Sequence, residues 1–146
     1  MFFNAKVFTG QGLDNWNVAS VVSFANTFKS AYKLSANLGS WEVGSATTFT
    51  RMFMNCWEFP GQDIEDWAFG TGVTDMKRMF YNAEQFSTDL CNDWAPQLDG
   101  TVSMMDLFWG TGCEDESDPV YEATSFANFC GGCTARRGRN LRASST

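Results

Sequence analysis

Histidine is absent from the 146 residues. That absence removes Ser-His-Asp and Cys-His nucleophile pairs, and imidazole ligands for zinc or haem. Carboxylate and thiol chemistry survive. Charge is scarce: 18% of residues are Asp, Glu, Lys or Arg, below the usual quarter. Hydrophobic residues nevertheless make up 44%, so the composition is not that of a disordered chain. No apolar run reaches the ~18 residues of a transmembrane helix. Met1-Phe2-Phe3-Asn4 is too short and too polar for the apolar core of a signal peptide. No Asn-x-Ser/Thr sequon occurs, so glycosylation gives no argument for secretion.

What is present is aromatic. Phe, Trp and Tyr make up 16%, with 14 phenylalanines. The length suits one domain with a real core. Net charge is −7, but four of the ten basic residues, Arg136, Arg137, Arg139 and Arg142, sit near the C-terminus. Up to Cys133, six basic residues face 17 acidic ones, a balance of −11. Such a body repels phosphate backbones, so nucleic acid is not an expected partner. Residues 134–146 read as a basic tail, solvated or reaching to an anionic surface.

Five cysteines leave three readings open: Cys56, Cys91, Cys113, Cys130 and Cys133. Cys130-Gly-Gly-Cys133 has the spacing of a vicinal pair or half a zinc site, and Asp115 or Asp118 could complete such a site. A disulfide among Cys113, Cys130 and Cys133 is the second reading, and free thiols are the third.

Self-comparison reveals a repeat. Trp16, Trp41, Trp67 and Trp94 recur at steps of 25, 26 and 27. In phase with them run Phe2, Phe28, Phe53, Phe80 and then Trp109. A small column (Ala5, Ala31, Cys56, Ala83, Gly112) and a large one (Phe8, Leu34, Phe59, Phe86) follow. Further columns hold Leu13, Leu38, Ile64 and Leu90, then Val21, Ala46, Val73 and Val102. The last holds Phe24, Phe49, Met76 and Met105. Ser125-Phe126-Ala127-Asn128 echoes Ser23-Phe24-Ala25-Asn26 as a degenerate final copy. A unit this short buries its apolar face only by stacking on its neighbours. The small column then marks close backbone approach, where Ala31 and Ala83 leave no room for a larger group.

Apolar groups at 76, 79, 80 and 83 follow the helical i, i+3, i+4, i+7 spacing, as they do at 49, 52, 53 and 56. This predicts a short helix per repeat, with Asp75 at its dipole-favoured start. Phe86–Leu90 is about one strand long, and Val21-Val22 and Val73-Thr74 read as a second extended piece. The expected architecture is therefore one α/β repeat solenoid over 1–133. It has about four coils and a degenerate fifth, each with a short strand and a short helix.

The run from Val73-Thr74-Asp75-Met76 through Met79-Phe80-Tyr81-Asn82-Ala83, Phe86 and Asp89-Leu90 to Trp94 resembles the BspA-like surface-protein repeat, a relative of leucine-rich repeats. The resemblance covers residues 1 to about 112. Leu34 replaces Phe in the second copy, and Pro96-Gln97-Leu98-Asp99 lengthens the turn after Trp94. What the resemblance implies is an adhesion or binding scaffold, secreted or at the cell surface, with no catalytic residues and no cofactor. A subunit of an intracellular or organellar complex is the alternative.

Other candidate sites weaken on inspection. Glu65/Asp66 and Asp89/Asp93 are carboxylate pairs of a type used for acid–base catalysis, but exposed turns produce such pairs by default. Glu114-Asp115-Glu116-Ser117-Asp118 offers hard oxygens without calcium-loop spacing, and reads as a solvated acidic loop. Gly70-Thr71-Gly72 and Gly110-Thr111-Gly112 are too short for a phosphate loop. Two function classes remain. One is a non-enzymatic module that binds a protein or a surface glycan. The other is a structural subunit of a larger assembly. Met1-Phe2 stands where Met52-Phe53 and Met79-Phe80 stand, so the chain is expected to open mid-coil. Phe2, Phe3 and Phe8 are the expected partner contacts there, as Arg136, Arg137, Arg139 and Arg142 are at the other end.

Overall fold

The computed structural model describes residues 1–122 and 125–130. Cys133 and the basic tail lie outside the described residues. The building unit is a tight turn rather than a helix. In 76–83, the Met79, Tyr81 and Ala83 amides donate to Met76, Arg78 and Phe80, each three residues back. The alternate amides leave the segment. Met76, Arg78, Phe80 and Asn82 donate to the carbonyls of Ser103, Met105, Leu107 and Trp109 in the next repeat. Segments 24–31 and 49–56 do the same: Phe28 donates to Met52 at 2.9 Å, and Phe53 to Met79 at 2.8 Å.

Left-handed residues make this possible, and they recur in phase. Asn26, Arg51, Arg78 and Asp106 have φ of 58°, 55°, 53° and 54°. Four residues on, Ser30, Asn55, Asn82 and Gly110 have φ of 63°, 60°, 56° and 75°. One left-handed residue per four interrupts any right-handed helix. Asn, Asp and Gly tolerate that region best, which fits most of the positions.

The expected solenoid of strands and helices is thereby overturned. Among the described residues the elements are three 3-10 helices, Leu13–Asn15, Ile64–Asp66 and Ala95–Gln97, and two strands. Strands β1 (Val120–Glu122) and β2 (Ser125–Ala127) pair antiparallel, with Tyr121 opposite Phe126. Apolar spacing reports which side chains share a face, and consecutive four-residue turns put the same ones on one face. Phe49, Met52, Phe53 and Cys56 are fully buried, as are Met76, Met79, Phe80 and Ala83. The backbone beneath them is nonetheless not helical. Asp75 starts no helix: its carboxylate accepts the Lys77 amide two residues on, at 2.9 Å, as in an Asx-turn. Phe86–Leu90 is no strand, and the Thr88 hydroxyl there bonds the Pro60 and Gly61 carbonyls. Among the described residues, only isolated parallel bridges, Ser23 to Thr48 to Asp75 to Ser103, join the repeats in sheet fashion.

The repeats pack through ring ladders. Phe2, Phe28, Phe53, Phe80 and Phe108 stack with successive centroid distances of 5.5, 5.7, 5.6 and 5.9 Å. The fifth member is Phe108, not Trp109. In that repeat Met104 is buried and Met105 exposed, and Thr111 rather than Gly112 holds the small position. The bridge between Asp75 and Ser103 locates the slip: Val102 precedes Met104 by two residues, where Val73 precedes Met76 by three. The tryptophans carry a second ladder. Trp41, Trp67 and Trp94 donate their indole N–H to the carbonyls of Leu13, Leu38 and Ile64 at 2.8, 2.8 and 2.9 Å. Each bond satisfies a buried donor and joins consecutive repeats.

The turn segments share one hydrogen-bond polarity, with amides of each repeat facing the next. The last segment, 104–111, therefore turns a row of donors outward. Asp118 accepts the Asp106 amide at 2.6 Å and Glu116 accepts the Gly110 amide at 3.1 Å. Aligned N–H dipoles make that edge electropositive, so carboxylates suit it. The acidic loop 114–118 is thus bound to the fold and not simply solvated. Around it, Cys113 is disulfide-bonded to Cys130. Leu90 donates to the Cys130 carbonyl at 3.0 Å. Phe129 meets Phe108 edge-on at 5.8 Å. Gly100 has no side chain, and the Tyr121 ring fills the space a Cβ would need.

Candidate functional site

Outward positions of the turn segments build a mixed aromatic and cationic face. Tyr32 stacks on Trp57 at 4.0 Å with planes 2° apart, and Lys6 lies over the Tyr32 ring at 5.7 Å. Tyr81 stacks on Trp109 at 4.8 Å, with the Arg78 guanidinium 5.8 Å from the Tyr81 centroid. Lys29 lies over Phe3 at 5.4 Å. Phe3, Trp57 and Trp109 are 57%, 43% and 51% exposed, far above core values. Large exposed aromatics grouped on one face mark contact surfaces.

Charge divides by face. All six basic residues before the tail, Lys6, Lys29, Lys33, Arg51, Lys77 and Arg78, lie in the stretches 1–8, 24–34, 49–59 and 76–86 that contain or match the turn segments. The links between those segments, 9–23, 35–48, 60–75 and 87–103, carry nine acidic residues and no basic one. On the turn face, Lys33 pairs with Glu58, and Arg78 pairs with Asp106 at 2.9 Å. On the link side an open groove of about 690 Å³ is lined by Asp14, Asn37, Ser40, Asp63 and Asp66. No group of three or more Cys, Asp or Glu among the described residues is arranged to hold a metal ion.

The cysteines resolve in part. Cys113 and Cys130 are bonded to each other, which removes them as zinc ligands. Cys91 is also disulfide-bonded. Cys56 is a buried free thiol in the small column, donating to the Phe28 carbonyl at 3.0 Å. Burial pushes its pKa up to about 12, against a smaller opposing effect of a backbone hydrogen bond at Ala31.

The ladder residues named from sequence sit as follows. Trp41, Trp67, Trp94, Phe28, Phe53, Phe80, Ala31 and Ala83 are buried. Trp16 lies apart from them, half-exposed at the first repeat, its ring 5.6 Å from Phe2. Phe2 and Phe8 stack on each other at 4.3 Å and are partly buried, whereas Phe3 is exposed. Arg136, Arg137, Arg139 and Arg142 are outside the described residues. Of the carboxylate pairs, Asp89 is engaged with the Cys91 amide, and one Glu65 oxygen is buried without a hydrogen bond among the described residues.

Sequence reading missed the outer face. Tyr32 and Trp57 are 25 residues apart, and Tyr81 and Trp109 are 28 apart. That phase is a usable signal, but it belongs to exposed positions and not to the apolar columns of the core.

A family model described as a Mycoplasma protein of unknown function, DUF285, matches residues 1–111. The chain belongs to that family. The matched span ends at Thr111, the last residue of the turn segment 104–111, so the Cys113–Cys130 disulfide lies beyond it. No curated protein and no solved structure matches the chain. No helix among the described residues is long and apolar enough to cross a membrane.

Proposed function

We propose that this member of the DUF285 family is a non-enzymatic recognition module, and that the turn face binds another protein. One observation carries the reading: the exposed rings Phe3, Trp57 and Trp109 lie on or beside the turn segments, as do the cations of residues 1–130, and the links between them carry no cation. Ring geometry favours a protein over a neutral glycan. Sugars stack on free ring faces, but the faces of Tyr32 are taken by Lys6 and Trp57. The ammonium and guanidinium groups beside these rings attract carboxylates and carbonyls. The resemblance to BspA-like surface repeats points the same way. Disulfides at Cys91 and Cys113 fit an oxidising compartment, in keeping with a secreted or surface protein.

The test pairs capture with substitution. A Tyr32→Ser, Trp57→Ser variant with an unchanged unfolding midpoint should lose a partner that the wild-type chain captures and that cross-links to the turn face. Equal capture by both proteins removes this reading. A second reading, a structural subunit of a larger assembly, has its own support. Met1, Phe3, Val7, Trp16 and Val22 are exposed large apolar residues, all on the first repeat. In that case the isolated chain aggregates unless a partner is co-expressed, and the turn-face variant does so equally.

A further inference from the structure

Two arginines hold the left-handed corner of their turn segments, and only one is compensated within the described fold. Arg51 and Arg78 have φ of 55° and 53°, at the position that Asn26 holds in the preceding repeat. Arg78 bonds the Asp106 carboxylate at 2.9 Å, and its guanidinium lies 5.8 Å from the Tyr81 centroid. Arg51 makes no side-chain hydrogen bond, ion pair or ring contact among the described residues. Its backbone strain is therefore not offset there, and strain of this kind collects at ligand contacts.

Arg51 belongs to a row. Lys29 and Lys6 also lack a carboxylate partner among the described residues, whereas Lys33 pairs with Glu58, and Lys77 with Asp75 at 3.4 Å. Arg51 stands two residues before the ladder ring Phe53, Lys29 one after Phe28, and Lys6 four after Phe2. Each step moves one repeat back and three residues on, so the cations cross the turn face diagonally. All three are half-buried or exposed. Lys29 lies over Phe3 at 5.4 Å and Lys6 over Tyr32 at 5.7 Å, so rings hold both ammonium groups in place. Stretches 1–8, 24–34 and 49–57 contain no acid. The row is thus a positive strip on a body whose balance up to Cys133 is −11.

We propose that this row binds a carboxylate-bearing segment of the partner protein, with Arg51 gripping one carboxylate and Lys29 and Lys6 drawing further ones. The proposal rests on the turn face being the binding surface, and it names what that surface reads. A guanidinium takes a carboxylate through two parallel N–H donors, which an ammonium cannot do. Exposed Phe3 lies under Lys29, and exposed Trp57 stacks on the Tyr32 ring that carries Lys6. The matching segment therefore places apolar groups between its acids. A dense polyanion such as a sulfated glycan fits less well, because the nine acids of the links repel it.

The test selects a phage-displayed library of random peptides on the full wild-type chain, then measures the enriched peptides by fluorescence anisotropy. Asp or Glu interleaved with apolar residues is the expected composition. Arg51→Gln should weaken these peptides by about tenfold or more, and Lys29→Gln with Lys6→Gln by a similar factor. Arg51→Lys keeps the charge without the fork and should bind between wild type and Arg51→Gln. A cooperative unfolding transition confirms the fold of each variant, and if Arg51→Gln does not fold, the double lysine variant carries the same comparison. Enriched peptides that lack acids, and that lose binding to Tyr32→Ser, Trp57→Ser but not to Arg51→Gln, overturn the acidic segment and leave the turn face standing. Peptides that bind every variant equally overturn both. A selection without enrichment overturns the proposal, as does heparin that competes with the selected peptides and binds more tightly than any of them.

Discussion

Two single residues show how tightly the repeats approach. Gly61 has φ of +75°, and a Cβ there would lie 2.2 Å from the Phe86 ring. Gly61→Ala therefore combines left-handed strain with a clash against a buried ring. It should cost roughly 2–4 kcal/mol in urea unfolding. A loss under about 0.5 kcal/mol would mean the ring moves aside freely. Cys56 is the second. Its thiol is held neutral, so native protein should resist thiol reagents at pH 8 and react only on unfolding. The sign of the pH effect follows from its raised pKa. The folded form keeps its proton while the unfolded form loses it, so this contribution is full below pH 9 and fades as pH climbs towards 12. Cys56→Ala should accordingly lose less stability between pH 8 and pH 10 than the parent does. Equal losses would place the alkaline sensitivity elsewhere.

At the scale of the element, the turn segment replaces the helix, and spectroscopy reads the difference. Far-UV circular dichroism should lack the helical double minimum. A strong one would contradict the left-handed positions at Arg51 and Arg78. Those two arginines are the least suited to their backbone. Asn and Asp accept the left-handed region through their short polar side chains, whereas Arg does not. Arg51→Gly should relieve that strain and stabilise by about 0.5–1 kcal/mol, read as a higher urea midpoint. Arg78 is a poorer place for the test, because Arg78→Gly also removes the pair with Asp106. A lower midpoint for Arg51→Gly would show that its side chain contributes more than its backbone strain costs.

Across the whole molecule, stability is set by interfaces between repeats and by what ends them. Ring ladders and indole bonds make each inner repeat depend on its neighbours. The last repeat depends instead on the acidic loop, the hairpin and the disulfide. Cys113 and Cys130 are 17 residues apart, and a loop of that length is worth about 3 kcal/mol by chain entropy. Cys113→Ser with Cys130→Ser should lower unfolding free energy by about that amount, measured with the Cys91 bridge intact. A change near zero would mean that the loop and hairpin hold the cap unaided.

The sequence alone determined the repeat, its period and most of its core. Phase identifies side chains that meet in a stack, so Trp41, Trp67, Phe28, Phe53 and Ala83 were legible as buried neighbours before any backbone was known. Phase does not identify backbone conformation. A face with apolar groups at i, i+3, i+4 and i+7 belongs equally to a helix and to consecutive turns, and only the left-handed residues distinguish them. Asn26, Asn55 and Asn82 were a trace of this in the sequence, but Arg51 and Arg78 at equivalent points obscured it. Tertiary structure alone decided the rest. The slip that puts Phe108 and Met104 in the core depends on how the longer link at 95–102 lies. The acidic loop binds amides because the ladder happens to end in donors there. Such pairings join residues whose spacing no period fixes, so they follow from the three-dimensional path of the chain.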